Sequence, residues 1–93
     1  MTPRAFLFIA LSFFACVTLA QSVPQMVQDR AAELIPDRLP DSVVATPVAG
    51  LYEVTFGTQV VYLFEDGQHL LSGDLIDLDR GTNLTEDARK AGR

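Results

Sequence analysis

The spacing of apolar residues changes along the chain, and each change marks a boundary. From Ala5 to Val17 they are almost continuous, broken only by Ser12. At Val23, Met26, Val27, Ala31 and Leu34 they recur as the stripe of an amphipathic helix. That helix is expected over Ser22–Ile35. Ser22 and Gln25 have capping-box spacing, Pro24 is tolerated in a first turn, and Pro36 ends the segment because the residue before proline avoids the helical basin. Pro36, Pro40 and Pro47 then punctuate a connection in which Ser42–Ala45 can form a short edge strand.

From Leu51 the period is two. Leu51–Phe56 reads as a strand with Tyr52, Val54 and Phe56 on one face. Gly57-Thr58 reads as a two-residue hairpin turn of type II′, and Gln59–Glu65 as the next strand, with Val60, Tyr62 and Phe64 sharing a face. Asp66-Gly67 predicts a tight turn of type I′, Gln68–Ser72 a strand, and Asp74–Asp79 a further strand after the interruption at Gly73. Thr82–Arg93 looks like the start of a helix. Asn83 and Glu86 are spaced as a cap, Thr85 is an alternative cap, acidic Glu86 and Asp87 come early, and Arg89, Lys90 and Arg93 come late. So short and polar a helix is marginal alone. The sum is an α+β domain, one helix on an antiparallel meander of four strands. The helix covers one face of the sheet, and the other is expected to meet something else.

The first apolar run changes the picture of location. Met1–Arg4 carries one positive charge, the run is shorter than the about 20 residues a membrane-spanning helix needs, and small residues follow. Residues 1–20 are expected to be a signal peptide cleaved between Ala20 and Gln21, which sends the chain out of the cytoplasm and leaves it without a membrane anchor. Cys16, the single cysteine, could alternatively be a lipoprotein acylation site, but the bulky Phe13 and Phe14 before it fit that signal poorly.

Among 93 residues, 12 acidic against 7 basic side chains give a net charge of −5, and removing Arg4 makes it more negative. An acidic domain repels phosphate backbones, so nucleic acid is not an expected partner. A domain this small buries a limited core, and without Cys16 it has no thiol for a disulfide. Association with a second chain is the remaining common source of burial.

Candidate chemistry is sparse. His69 is the single histidine and has neither ligand partners nor a nucleophile at useful spacing, so a polar strand contact is expected of it. Glu65, Asp66, Asp74, Asp77 and Asp79 could serve as acid and base or hold Ca²⁺, but the alternating calcium-loop pattern is missing and solvated turns explain them. Tyr52, Phe56, Tyr62 and Phe64 could line a peptide surface, although strand aromatics more often form core beneath a helix. Asn83-Leu84-Thr85 matches a glycosylation sequon. No catalytic, cofactor-binding or metal-ligating residue is expected.

Pro47–Val54, Val60–Tyr62, Glu65–Gly67, Gly73–Leu78 and Asn83–Glu86, in that order and at near-gapless spacing, resemble the N-terminal domain of the bacterial periplasmic thiol:disulfide isomerase family of DsbC and DsbG type. The resemblance covers Gln21–Arg93. It implies a cystatin-like dimerisation domain over residues 21–81 and the start of a linker helix over 82–93. It also implies a periplasmic homodimer made by pairing strands between chains. In the family, a thioredoxin-like domain with a Cys-x-x-Cys pair follows and acts on misfolded periplasmic proteins by thiol exchange. This sequence has no such pair, and without a thiolate there is no nucleophile, so the chain is expected to be inactive alone.

The resemblance thus leaves a dimerisation module, able to pair with itself or with a full-length relative. Misfolded proteins become partners only where the redox domain is present. The strand Gly67, Gln68, His69, Leu70, Leu71, Ser72, Gly73 is the expected interface, because an exposed edge offers unpaired backbone groups to a second copy. Gly73 lets two backbones approach or simply marks a turn. The competing reading is a small exported binding protein with a cystatin-like fold and an unknown ligand.

Overall fold

The computed structural model describes residues 22–93. The expected signal peptide, its expected cleavage between Ala20 and Gln21, and Cys16 lie outside the described residues.

Helix α1 spans Gln25–Ala32, shorter than the expected Ser22–Ile35. Pro24 is its N-cap in an extended conformation, and its carbonyl accepts the Val27 and Gln28 amides at 3.0 and 3.1 Å. Ser22 therefore lies outside the helix and the expected capping box does not form. At the other end Glu33 and Leu34 donate three residues back, to Arg30 and Ala31, a tightened last turn that stops the helix before Pro36. A turn follows in which Arg38 N–H donates to the Ile35 carbonyl across Pro36 and Asp37, and Asp37 holds φ at +61°. The buried stripe is narrower than the periodicity predicts: Val27 and Ala31 face the sheet, whereas Met26 is exposed.

Four antiparallel strands follow, β1 (Ser42–Ala45), β2 (Leu51–Phe56), β3 (Gln59–Phe64) and β4 (Leu70–Leu71), in the order β1-β2-β3-β4. The centre is the β2–β3 hairpin, paired from Leu51 with Phe64 to Phe56 with Gln59 around the Gly57-Thr58 turn. The β3–β4 connection is not the expected type I′ turn. That turn needs positive φ at both central residues, and only Gly67 has it, at +69°. The loop is longer, closed by the Phe64 amide donating to the His69 carbonyl at 3.0 Å. The fourth strand of the sheet is Ser42–Ala45 rather than Asp74–Asp79. At Gly73 the chain takes φ of +151° and leaves the sheet, and Ile76–Asp77 (β5) pairs only with Thr82–Asn83 (β6) in a separate hairpin.

This departure explains what covers the second face. On the first face, Val27 and Ala31 of α1 pack with Tyr52, Val54, Phe56 and Leu63. On the second, Leu51, Val60 and Tyr62 meet Leu75 and Ala88, the latter from helix α2 (Leu84–Ala91). The expectation of an uncovered face is thus corrected: the chain covers it with its own C-terminal segment. Asn83 caps α2 as predicted, its Oδ1 accepting the Glu86 amide at 2.9 Å. Thr85 is not a cap and lies fully buried instead.

The far end of α2 closes on the β2–β3 turn, where a Cβ added at Gly92 would overlap the Gly57 carbonyl oxygen. Gly92, the C-cap of α2, has a φ of −86° that any residue adopts, so alanine there would normally stabilise by about 0.4–1 kcal/mol through the unfolded chain. We expect the opposite sign. Gly92→Ala should lower stability by roughly 1–3 kcal/mol, as overpacking does, read from thermal melts followed by circular dichroism. An unchanged or raised midpoint would show that α2 does not dock at this end.

Candidate functional site

β4 is the last strand of the sheet, and among the described residues nothing pairs with its outer edge. Leu70 pairs with Leu63 and Leu71 with Tyr62. Because the His69 carbonyl points inward to Phe64, the alternation of an antiparallel ladder turns the backbone groups of Leu70 and Ser72 outward. The side chains are also open, Leu70 at 49 % and Leu71 at 45 % of full exposure, and Phe64 beside them is exposed as well. Apolar side chains above and below a row of unpaired N–H and C=O groups form a template for another strand.

The turn feeding this edge is held by Asp66. Its carboxylate accepts the Gln68 amide at 2.8 Å and faces His69 Nδ1 at 2.6 Å. Those contacts, the Gln68 amide first, hold the Asp66 carboxyl below its usual range. The His69 ring also stands edge-on to Phe64, with centroids 6.3 Å apart. Gly67 is buried against Met26 of α1, and its carbonyl accepts from Arg30 Nε at 2.7 Å, so the turn is anchored to the helix. Of the interface residues expected from the sequence, Gly67 is buried inside its own chain and Gln68 to Gly73 are exposed. Open space lies where a Gly73 Cβ would stand, so a side chain there is opposed by its positive φ rather than by a neighbour.

The remaining candidates are dispersed. Asp77 accepts the amides of Asp79 and Arg80, and Asp74 lies 3.6 Å from Arg89. Tyr52 and Phe56 are core beneath α1, and Tyr62 is buried on the opposite face. Among the described residues no group of three or more His, Cys, Asp or Glu could hold a metal ion, and no helix is long and apolar enough to cross a membrane.

Two residues stand out: Thr85, expected only as an alternative cap or sequon member, and Glu53, which sequence reasoning passed over. Thr85 Oγ1 meets the Tyr62 hydroxyl, the Leu75 amide and the Gly73 carbonyl. Nothing in a lone threonine signals this. Glu53 sits on the α2 face opposite Tyr62 in register, between two clefts, one lined also by Asp41 and Ala88 and the other by Asp87 and Ala88, and among the described residues no hydrogen bond or ion pair meets it. Burial pushes its carboxyl above the ordinary 4.5.

A family model described as the disulfide bond isomerase protein N-terminal domain matches residues 18–86, most of the chain. No curated protein and no solved structure matches it.

A carboxyl whose pKa is raised by folding binds its proton more tightly in the folded state. Stability is therefore lost as pH climbs from the unfolded value of 4.5 through the raised folded value. Glu53→Gln should raise the thermal midpoint near neutral pH, with the gain vanishing below that window. A gain that persists in acid would assign the effect to something other than charge burial. Asp66 has the opposite sign: its contribution is present above the unfolded 3.8 and disappears as pH falls through the lowered folded value. Asp66→Ala should speed amide exchange at Gln68 near neutral pH, and equal protection would remove the carboxylate from the turn.

Proposed function

Because the chain belongs to the disulfide bond isomerase N-terminal domain family, we propose that it is the dimerisation module of a periplasmic protein-disulfide isomerase, joining two copies through the outer edge of β4. The observation that carries this reading is the unpaired, apolar Leu70–Leu71 edge lying inside the family-matched stretch. A second copy approaching along it, related by a twofold axis, would satisfy the outward groups of Leu70 and Ser72 in an isologous contact.

The chemistry of such an enzyme needs a thiolate, and residues 22–93 contain no cysteine. The role of this domain is therefore positional: it sets the spacing between whatever its two copies carry. It has the same edge to offer a related chain of the family. Export through residues 1–20 and life in the periplasm are part of the proposal, and signal processing at Ala20–Gln21 is checked by N-terminal sequencing of the secreted product.

Sedimentation equilibrium of the processed chain should give a dimer at micromolar concentration. Leu70→Pro removes an outward N–H without touching the inward bonds of His69, and proline is tolerated at sheet edges. It should raise the dissociation constant by about 100-fold, which corresponds to roughly 3 kcal/mol, while far-ultraviolet circular dichroism stays unchanged. A wild-type monomer would end the dimer reading and favour a small binding protein instead.

A further inference from the structure

We infer that Thr85 is a positioning residue that locks α2 to the outer edge of the sheet, so that the direction of α2 and the shape of the β4 edge are fixed by one buried hydroxyl. Thr85 is 0 % exposed, the one fully buried side chain of α2. The Leu75 N–H can only donate, at 2.8 Å, and the Gly73 carbonyl can only accept, at 3.4 Å. Thr85 Oγ1 accepts from Leu75; between Thr85 and the Tyr62 hydroxyl either oxygen can donate, and the Gly73 carbonyl is a longer third contact. The one buried hydroxyl thus meets three polar partners from two different segments.

Those partners define the lock. Tyr62 belongs to β3 and pairs with Leu71 of β4. Gly73 and Leu75 flank the bend by which the chain leaves that edge. Two further contacts tie the same segment to α2: the Leu84 amide donates to the Leu75 carbonyl at 2.8 Å, and Arg89 lies 3.6 Å from Asp74. Apolar packing under α2 is thin, chiefly Ala88 against the cluster of Leu51, Val60 and Tyr62, so it does not select an orientation by itself. A satisfied buried polar group does, because every displaced geometry leaves a donor or acceptor unpaired in the interior.

The consequence rests on the dimer reading: if β4 is the pairing edge, each copy carries its α2 at a set angle to that edge, and the two helices are held at a set separation. The lock itself is a property of one chain and is measured there. In a chain carrying Cys16→Ser, spin labels on Ser72→Cys and Lys90→Cys, diluted with unlabelled protein, report the distance from edge to helix by pulsed electron resonance. A narrow distribution is expected, kept by Thr85→Ser and broadened about twofold by Thr85→Val. The Leu75 amide should exchange with solvent at least about tenfold faster in Thr85→Val than in Thr85→Ser.

An unchanged distance width and unchanged Leu75 protection in Thr85→Val would overturn the lock. Should that variant fail to fold, Tyr62→Phe removes one of the three partners, and Leu75 exchange no faster than in wild type would overturn it equally. The two readings fail separately. A wild-type monomer that keeps the narrow distance removes the dimer and leaves the lock. A dimer whose Thr85→Val form keeps the narrow distance removes the lock and leaves the dimer.

Discussion

A single hairpin with apolar side chains on both faces governs this structure. β2 and β3 pair over six positions, and nearly every residue between Leu51 and Leu63 outside the turn is buried or half-buried. Such a ribbon cannot leave either face in water, and a chain this short has few elements with which to cover it. One face is closed by the stripe of α1, where Val27 and Ala31 bring small side chains close to Tyr52 and Leu63. The other is closed by a segment that has to leave the sheet, cross over and return as α2. The bend at Gly73, the detached β5–β6 hairpin and the buried hydroxyl of Thr85 all follow from that second requirement.

The polar chemistry of the domain is concentrated where the chain changes direction. Asp66 holds the turn into β4, Asp77 holds the hairpin tip, and Asn83 starts α2. Thr46 does similar work before β2, its hydroxyl meeting the Leu51 carbonyl and the Val48 amide. These groups satisfy local backbone where the chain turns. Glu53 is the exception: a partly buried carboxylate without a described partner, held between β2 and α2 at some cost to stability.

Much of the fold was legible because its strongest signals are local. Alternation from Leu51 to Phe64, the Gly57-Thr58 turn and the Asn83–Glu86 cap are each set by a few neighbouring residues, and the structure contains all three. The family was legible from an ordered set of short segments. What sequence reading mistook was tertiary. Asp74–Asp79 alternates like a strand, but once Gly73 turns the chain away from the main sheet only Ile76–Asp77 pairs, and with Thr82–Asn83. Ser22 has the spacing of a capping residue, but the extended Pro24 starts the helix three residues later. Met26 falls on the apolar stripe, yet the chain offers nothing deep enough to bury it. The edge at Gln68–Ser72 was legible as a strand but not as a strand of only two ladder residues, and Thr85 was invisible as a junction because its partners lie ten or more residues away.

The closure of α2 against the β2–β3 turn has a practical corollary for anyone attaching a reporter to this domain. Gly92 abuts Gly57, so a cargo joined after Arg93 emerges beside that turn. The Asp66 turn lies at the opposite end of β3, a six-residue strand about 20 Å long. A fluorophore or affinity handle placed at the C-terminus therefore starts a full strand length from Asp66 and His69, and a linker of only a few residues would keep it clear of that corner.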